Sequence, residues 1–294
     1  MDQANPPRPE TLSALLEQVD ELQPLPASVL RVIELAGDRR STLDQLSFAI
    51  DPALASRLLR IANSAHYGHR GEIGSIREAV LLLGFGAVRT AAVASAVITG
   101  AGGLGSFDSR RFWTHCVTVA EVARLISTTH RRHQEHAFTA GVLHGLGRMA
   151  FAQLDSDRLI EARTLAEEDR IDLEAAELKL FGVGEAELGG ALAARWEFPE
   201  PLVDSIALHA IEPRQQEDPI GLAADVERAC AFTAACGLSD GIEPARPPSR
   251  RELDPEWFTV PLARALRDAG GMPALRDRAQ SFVATALGED RLAA

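Results

Sequence analysis

From Glu10 onward the apolar residues of this chain recur at intervals of three and four almost without a break, and that rhythm excludes most folds. Leu12, Leu15, Leu16, Val19 and Leu22 open the pattern, which is the stripe an amphipathic helix turns toward a core. Pro24-Leu25-Pro26 ends this helix and starts another with Val29, Leu30, Ile33 and Leu35 apolar; Ser41 to Asp44 reads as a capped start before Leu43, Leu46 and Ile50. Asp51-Pro52 predicts a further start, since Asp caps free amides and proline fits a first turn whose amide needs no partner. That helix runs from Pro52 to about Ala65, with Leu54, Leu58, Leu59 and Ile61 on its apolar side. Ser75-Ile76-Arg77-Glu78 is a capping box ahead of Ala79 to Leu83, and Gly84 is the expected stop. No segment reads convincingly as a strand, and aromatics make up only 5% while Ala and Leu abound. Such a composition favours helices over sheets, so the fold expected is all-α.

The connections divide the chain. Residues 1–9, with three prolines, read as a disordered N-terminus, and the four glycines between Gly100 and Gly105 read as a flexible joint. This predicts an N-terminal helical lobe over 10–105 and a larger helical lobe over 106–240. A C-terminal loop and helices, 241–294, are expected to pack on the second lobe. Helices are expected beyond Gly86 to about Thr99, from Asp108 through Ile126, and at about 136–153, 155–169, 172–181, 185–196, 200–210, 220–236, 255–269 and 272–288.

A net charge of −12 repels nucleic acid and anionic membranes, so neither is an expected partner. The three cysteines, Cys116, Cys230 and Cys236, are odd in number and lack a metal-type spacing, which suits reduced thiols in the cytoplasm. The first residues carry neither the charged nor the apolar region of a secretion signal. The longest apolar stretch, Ala79 to Ile98, holds Arg89 near its centre; burying that charge in a bilayer costs roughly 2.5 kcal/mol or more. Two buried helices are the better expectation.

Six phrases resemble the HDOD family, the HD-related output domains, over roughly residues 20–240. They are Leu22-Gln23-Pro24-Leu25-Pro26, Asp51 through Ala65, Ile76 to Gly84, Trp113-Thr114-His115, Ala137 through His144, and Trp196-Glu197-Phe198-Pro199. The resemblance implies a two-lobed all-α fold with an HD-type core in the second lobe, and a regulatory role without demonstrated catalysis. It also assigns positions. In HD phosphohydrolases, histidines and aspartates converge on one or two cations that activate water and screen phosphate charge. Carried onto this chain, His115 matches the first ligand position and His144 the His of His-Asp. Gly145 stands where the Asp is expected, Glu185 where a further His is expected, and the final His pair reads His209-Ala210.

The residues that remain, His115, His144 and His209 with Glu185 beside them, are expected as relict pocket residues rather than a metal site. If any metal binds, those three histidines would hold it; no cofactor is expected. Arg148, one turn beyond His144, faces the same cavity in this reading and offers a charge for an anionic nucleotide. Arg57 and Arg60 share a helix face, and Arg131 and Arg132 sit in a basic stretch, His130 to His136. These four are candidate partner contacts, though a solvated surface explains them as readily. Cys116 lies beside His115 in sequence but on another helix face. Asn63 and Ser64 are expected to bond backbone of a neighbouring loop. The function expected is that of a non-catalytic bacterial signalling module binding a partner protein, such as a nucleotide-signalling enzyme, or a small ligand. A degenerate phosphohydrolase or cyclic-dinucleotide phosphodiesterase, and a nucleotide receptor, are the alternatives.

Overall fold

The computed structural model of the chain describes residues 12–21, 31, 52–64, 73–100, 104–131, 134–242 and 259–287. Among them lie thirteen α-helices, one short 3-10 turn at Pro213–Gln215, and no strand beyond an isolated bridge between Leu104 and Phe107. The helices are α1 (Leu12–Glu21), α2 (Pro52–Ala62), α3 (Ile76–Gly100), α4 (Ser109–His130), α5 (Gln134–Leu143), α6 (Leu146–Leu154) and α7 (Ser156–Asp169). They continue as α8 (Leu173–Phe181), α9 (Glu185–Arg195), α10 (Glu200–Leu208), α11 (Leu222–Ala235), α12 (Val260–Asp268) and α13 (Gly271–Leu287). Apart from Arg31, which is helical, the helix expected after Pro26, the one expected after the start at Ser41 to Asp44, the Asp51 cap, and Leu22 to Pro26 lie outside the described residues, as does Arg132.

The predicted start and stop signals operate where they are seen. Ser75 Oγ accepts from the Glu78 amide at 3.1 Å, and Glu78 Oε2 accepts from the Ser75 amide at 3.1 Å, so the box closes both ways. Gly84 takes φ 84°, ψ 162°, a conformation that a side chain would strain, and the two halves of α3 meet there at 116°. No single described helix is long and apolar enough to cross a membrane; the bent pair around Gly84 passes that test by length and composition only. Asp108 caps α4 by accepting the Arg111 amide at 3.1 Å. Asn63 performs the expected loop contact with both ends of its amide: Nδ2 donates to the Ile73 carbonyl at 2.8 Å and Oδ1 accepts the Ile73 amide at 2.9 Å.

Two findings differ from the expectation. The helix expected over 136–153 is two helices, because His144 and Gly145 form a turn between α5 and α6. The C-terminal helices do not rest on the second lobe alone. α13 packs on α4 but also on α2 and α3, while α1 packs on α6 and α9, so both ends of the described chain tie the halves together.

α4 is the axis. α5, α11, α12 and α13 all pack on it, which buries Phe112, Trp113, Cys116, Val117, Val119, Ala120, Val122, Ala123 and Ile126. α5 approaches so closely that a Cβ on Gly141 would strike the Ala120 backbone. α6 and α9 meet through Gly147 and Gly189 in the same manner. These two backbone contacts bring the ends of α5, α6 and α9 to one point.

Candidate functional site

Four helix ends and the second turn of α4 converge there. His144 follows the last turn of α5, Arg148 sits in the first turn of α6, Glu185 opens α9, and His209 closes α10. His115 enters from α4. Ring centroids lie 5.6 Å apart for His115 and His144, and 5.3 Å apart for His144 and His209. The positions matched by resemblance, His115, His144, Gly145, Glu185 and His209, and Arg148, placed by its spacing from His144, therefore do come together. Arg60 instead donates to Ser56 Oγ one turn back at 3.0 Å, Arg57 shares α2 with it, and Arg131 is the exposed left-handed residue that closes α4.

Two histidines are held alike. His144 Nδ1 donates to the Gly141 carbonyl at 2.6 Å, and His209 Nδ1 donates to the Ile206 carbonyl at 2.7 Å. Each ring folds back on its own last turn, so its Nδ1 carries a proton and Nε2 faces away. His209 Nε2 meets Glu185 Oε1 at 3.0 Å. With Nδ1 already donating, this second bond to a carboxylate requires the imidazolium. Burial opposes that charge, but the Glu185 carboxylate outweighs it and holds His209 above its ordinary 6.5. His144 goes the other way. Burial, reinforced by the neighbouring His209 and His115, pulls it down to about 3, and it stays neutral.

Sequence reasoning missed three neighbours that define the pocket. Glu177 on α8 and Asp240, beyond α11, are both buried and both face Arg148. Phe112 on α4 packs under Gly145. Glu177 carried a signal, an acid among the buried Leu173, Ala176 and Phe181 of α8. Nothing local marked Asp240. Burial raises Glu177 against the opposing pull of Arg148, while Glu185 is driven down because Arg148 and His209 overcome its burial.

The donor set does not fit a catalytic metal. A Cβ at Gly145 would stand 2.8 Å from Phe112 Cζ and 3.2 Å from Cys116 Sγ, so the space for the missing carboxylate is filled. Both nitrogens of His209 are engaged. Among the described residues no group of three His, Cys, Asp or Glu side chains is placed to hold a metal ion. The Cys116 thiol is fully buried, and burial raises its pKa well above the ordinary value, so it is no nucleophile. Gly145→Asp is therefore expected to lower stability by about 1–3 kcal/mol, through overpacking against Phe112, and to restore no hydrolysis. Urea denaturation beside a phosphodiester assay checks this, and Phe112→Leu in the same chain should recover part of the loss. A Gly145→Asp protein that is stable and hydrolytic would contradict it.

The body is all-helical, and His115, His144 and His209 converge beside Gly145. The chain matches the HDOD domain profile over residues 22–211, and it belongs to the HDOD family. An HDOD domain protein of unknown function from Geobacter sulfurreducens has the same fold, with TM-score 0.75, 25% identity, and coverage of 92% of this chain and 97% of that one. A protein from Shewanella amazonensis SB2B provisionally named a phosphohydrolase aligns with TM-score 0.69 and 28% identity, covering 94% and 97%. A protein from Marinobacter aquaeolei VT8 provisionally named for signal transduction shares the fold at TM-score 0.71 and 18% identity, covering 97% and 69%. An uncharacterized protein of Treponema pallidum (strain Nichols) is 27% identical over 213 residues, 70% of this chain but 41% of that longer protein.

Proposed function

We propose that this chain is a non-catalytic signalling module of the bacterial cytoplasm that acts by binding a partner protein. The observation carrying this reading is the Gly145 position. Where a metal-bridging carboxylate would stand there is a glycine, and the space beside it is packed by Phe112 and Cys116. Without that carboxylate a phosphohydrolase of this kind loses both its activated water and its charge stabilisation. The nucleotide-receptor reading is weaker, because the guanidinium it would use, Arg148, is turned onto carboxyl groups. The signal-transduction name of the Marinobacter protein agrees with the proposal, and the phosphohydrolase name of the Shewanella protein points the other way.

The test is crosslinking of the native protein at native abundance, paired with hydrolase assays on purified chain supplied with divalent metals. A defined partner, with no metal-dependent hydrolysis, is the expected result. Hydrolysis of a phosphoester that disappears on His144→Ala would overturn the reading.

A further inference from the structure

The Arg148 side chain is 12% exposed and lies among three carboxyl groups drawn from three separate segments. Each guanidinium nitrogen faces a different one. Nη1 donates to Asp240 Oδ2 at 2.9 Å, Nη2 lies 3.2 Å from Glu185 Oε1, and Nε lies 3.6 Å from Glu177 Oε1. Glu177, Glu185 and Asp240 are each at least 97% buried. Away from water such acids keep their charge only with a cation among them and otherwise hold their protons, the direction in which burial drives Glu177. The planar fork of arginine meets several carboxylates at once and stays charged at any working pH.

The same carboxyl oxygens are what a divalent ion would need. Glu185 Oε1 is already shared between Arg148 and His209 Nε2, at 3.2 and 3.0 Å. His209 spends its other nitrogen on a backbone carbonyl. A metal entering here would have to displace a guanidinium that is covalently part of the chain.

We propose that Arg148 is the resident cation of this pocket, occupying its acidic groups in place of a divalent metal, and that its charge excludes such a metal. Removing its charge would free Glu177, Glu185 and Asp240, which in the present arrangement are not placed around an ion, to close on a first-row divalent cation with His144 alongside. The inference deepens the non-catalytic reading but is tested separately from it.

The experiment titrates the full-length wild type, Arg148→Gln and Arg148→Lys with Co2+, followed by visible absorption and by metal content after dialysis. Wild type and Arg148→Lys are expected to retain less than about a tenth of an equivalent, and Arg148→Gln about one equivalent with at least a hundredfold tighter binding. Adding Glu185→Ala to Arg148→Gln should abolish the uptake. A folded Arg148→Gln that binds no better than wild type overturns the proposal. So does wild-type binding near one equivalent that is lost on His144→Ala. If Arg148→Gln is unfolded alone, it is refolded with Co2+. Recovery of helical circular dichroism with stoichiometric uptake supports the proposal, and failure to recover overturns it. Phosphoester hydrolysis by the wild type bears on the non-catalytic reading alone, whereas the contrast among the Arg148 variants bears on the resident cation alone.

Discussion

His144 is expected to cost this protein stability progressively as the pH falls from about 6.5 toward 4, so that His144→Gln resists acid better than the wild type. In the unfolded chain His144 takes up its proton near 6.5, while burial holds the folded value down to about 3. The unfolded state then binds the extra proton throughout that window, so stability falls as pH falls. A displacement of this size corresponds to about 4–5 kcal/mol when complete, a large share of the roughly 5–15 kcal/mol that holds a typical domain together.

The neighbouring groups run on different schedules. His209 is raised, so its pairing with Glu185 contributes fully below 6.5 and is lost as pH rises through the raised value. Glu185 is lowered to about 2, so its contribution is full above 4.5 and fades as pH falls toward 2. Glu177 runs the other way: burial raises it to about 8, so it adds stability as the pH falls from 8 toward 4.5 and offsets the loss from His144 over that interval. Urea midpoints measured at pH 7.5, 6, 5 and 4 should fall increasingly below those of His144→Gln for the wild type, because the variant keeps the gain from Glu177 without the loss from His144. Equal slopes in the two proteins would show that His144 is not the group responsible.

Gly147→Ala is expected to be among the most damaging single-methyl changes available in this chain. A Cβ there would land on the Glu185 carbonyl, with the Gly189 amide nitrogen 2.8 Å away. Both obstacles are backbone, so no rotamer change relieves the clash. The loss should exceed the ordinary overpacking range of about 1–3 kcal/mol and reach the severe class of about 4 kcal/mol or more. It should also separate α6 from α9 and so pull Arg148 away from Glu185. Gly86→Ala is the matched control. A Cβ there meets nothing within 4 Å, and α3 is non-helical only at Gly84, so this change should be neutral or stabilising by about 0.4–1 kcal/mol. Thermal melts of the two variants side by side decide the matter. Similar melting temperatures would mean that the α6–α9 contact is looser than the structure shows.

Neither glycine stood out in the sequence, and the reason is instructive. Gly84 was legible as a stop because a helix C-terminus is a local event, closed within a few residues. Gly147 sits inside a helix-like run, and its role depends on a carbonyl thirty-eight positions away in the chain. The split between α5 and α6 was missed likewise. The span 136–153 reads as one helix, and the turn at His144 and Gly145 becomes evident only once His144 bonds back to Gly141.

The sequence by itself determined the helical class, the cap at Ser75, the helix start near Asp108, the stop at Gly84, the loop contact of Asn63, and the convergence of His115, His144 and His209 implied by the family phrases. Helix periodicity and capping depend on interactions within about four residues, so they are written locally. Tertiary structure alone decided what the pocket is made of. It placed Phe112 in the space beside Gly145, and it turned Arg148 onto Asp240 across 92 residues of chain. A buried charge takes whatever partner the packing of distant helices supplies, and no local pattern records that choice.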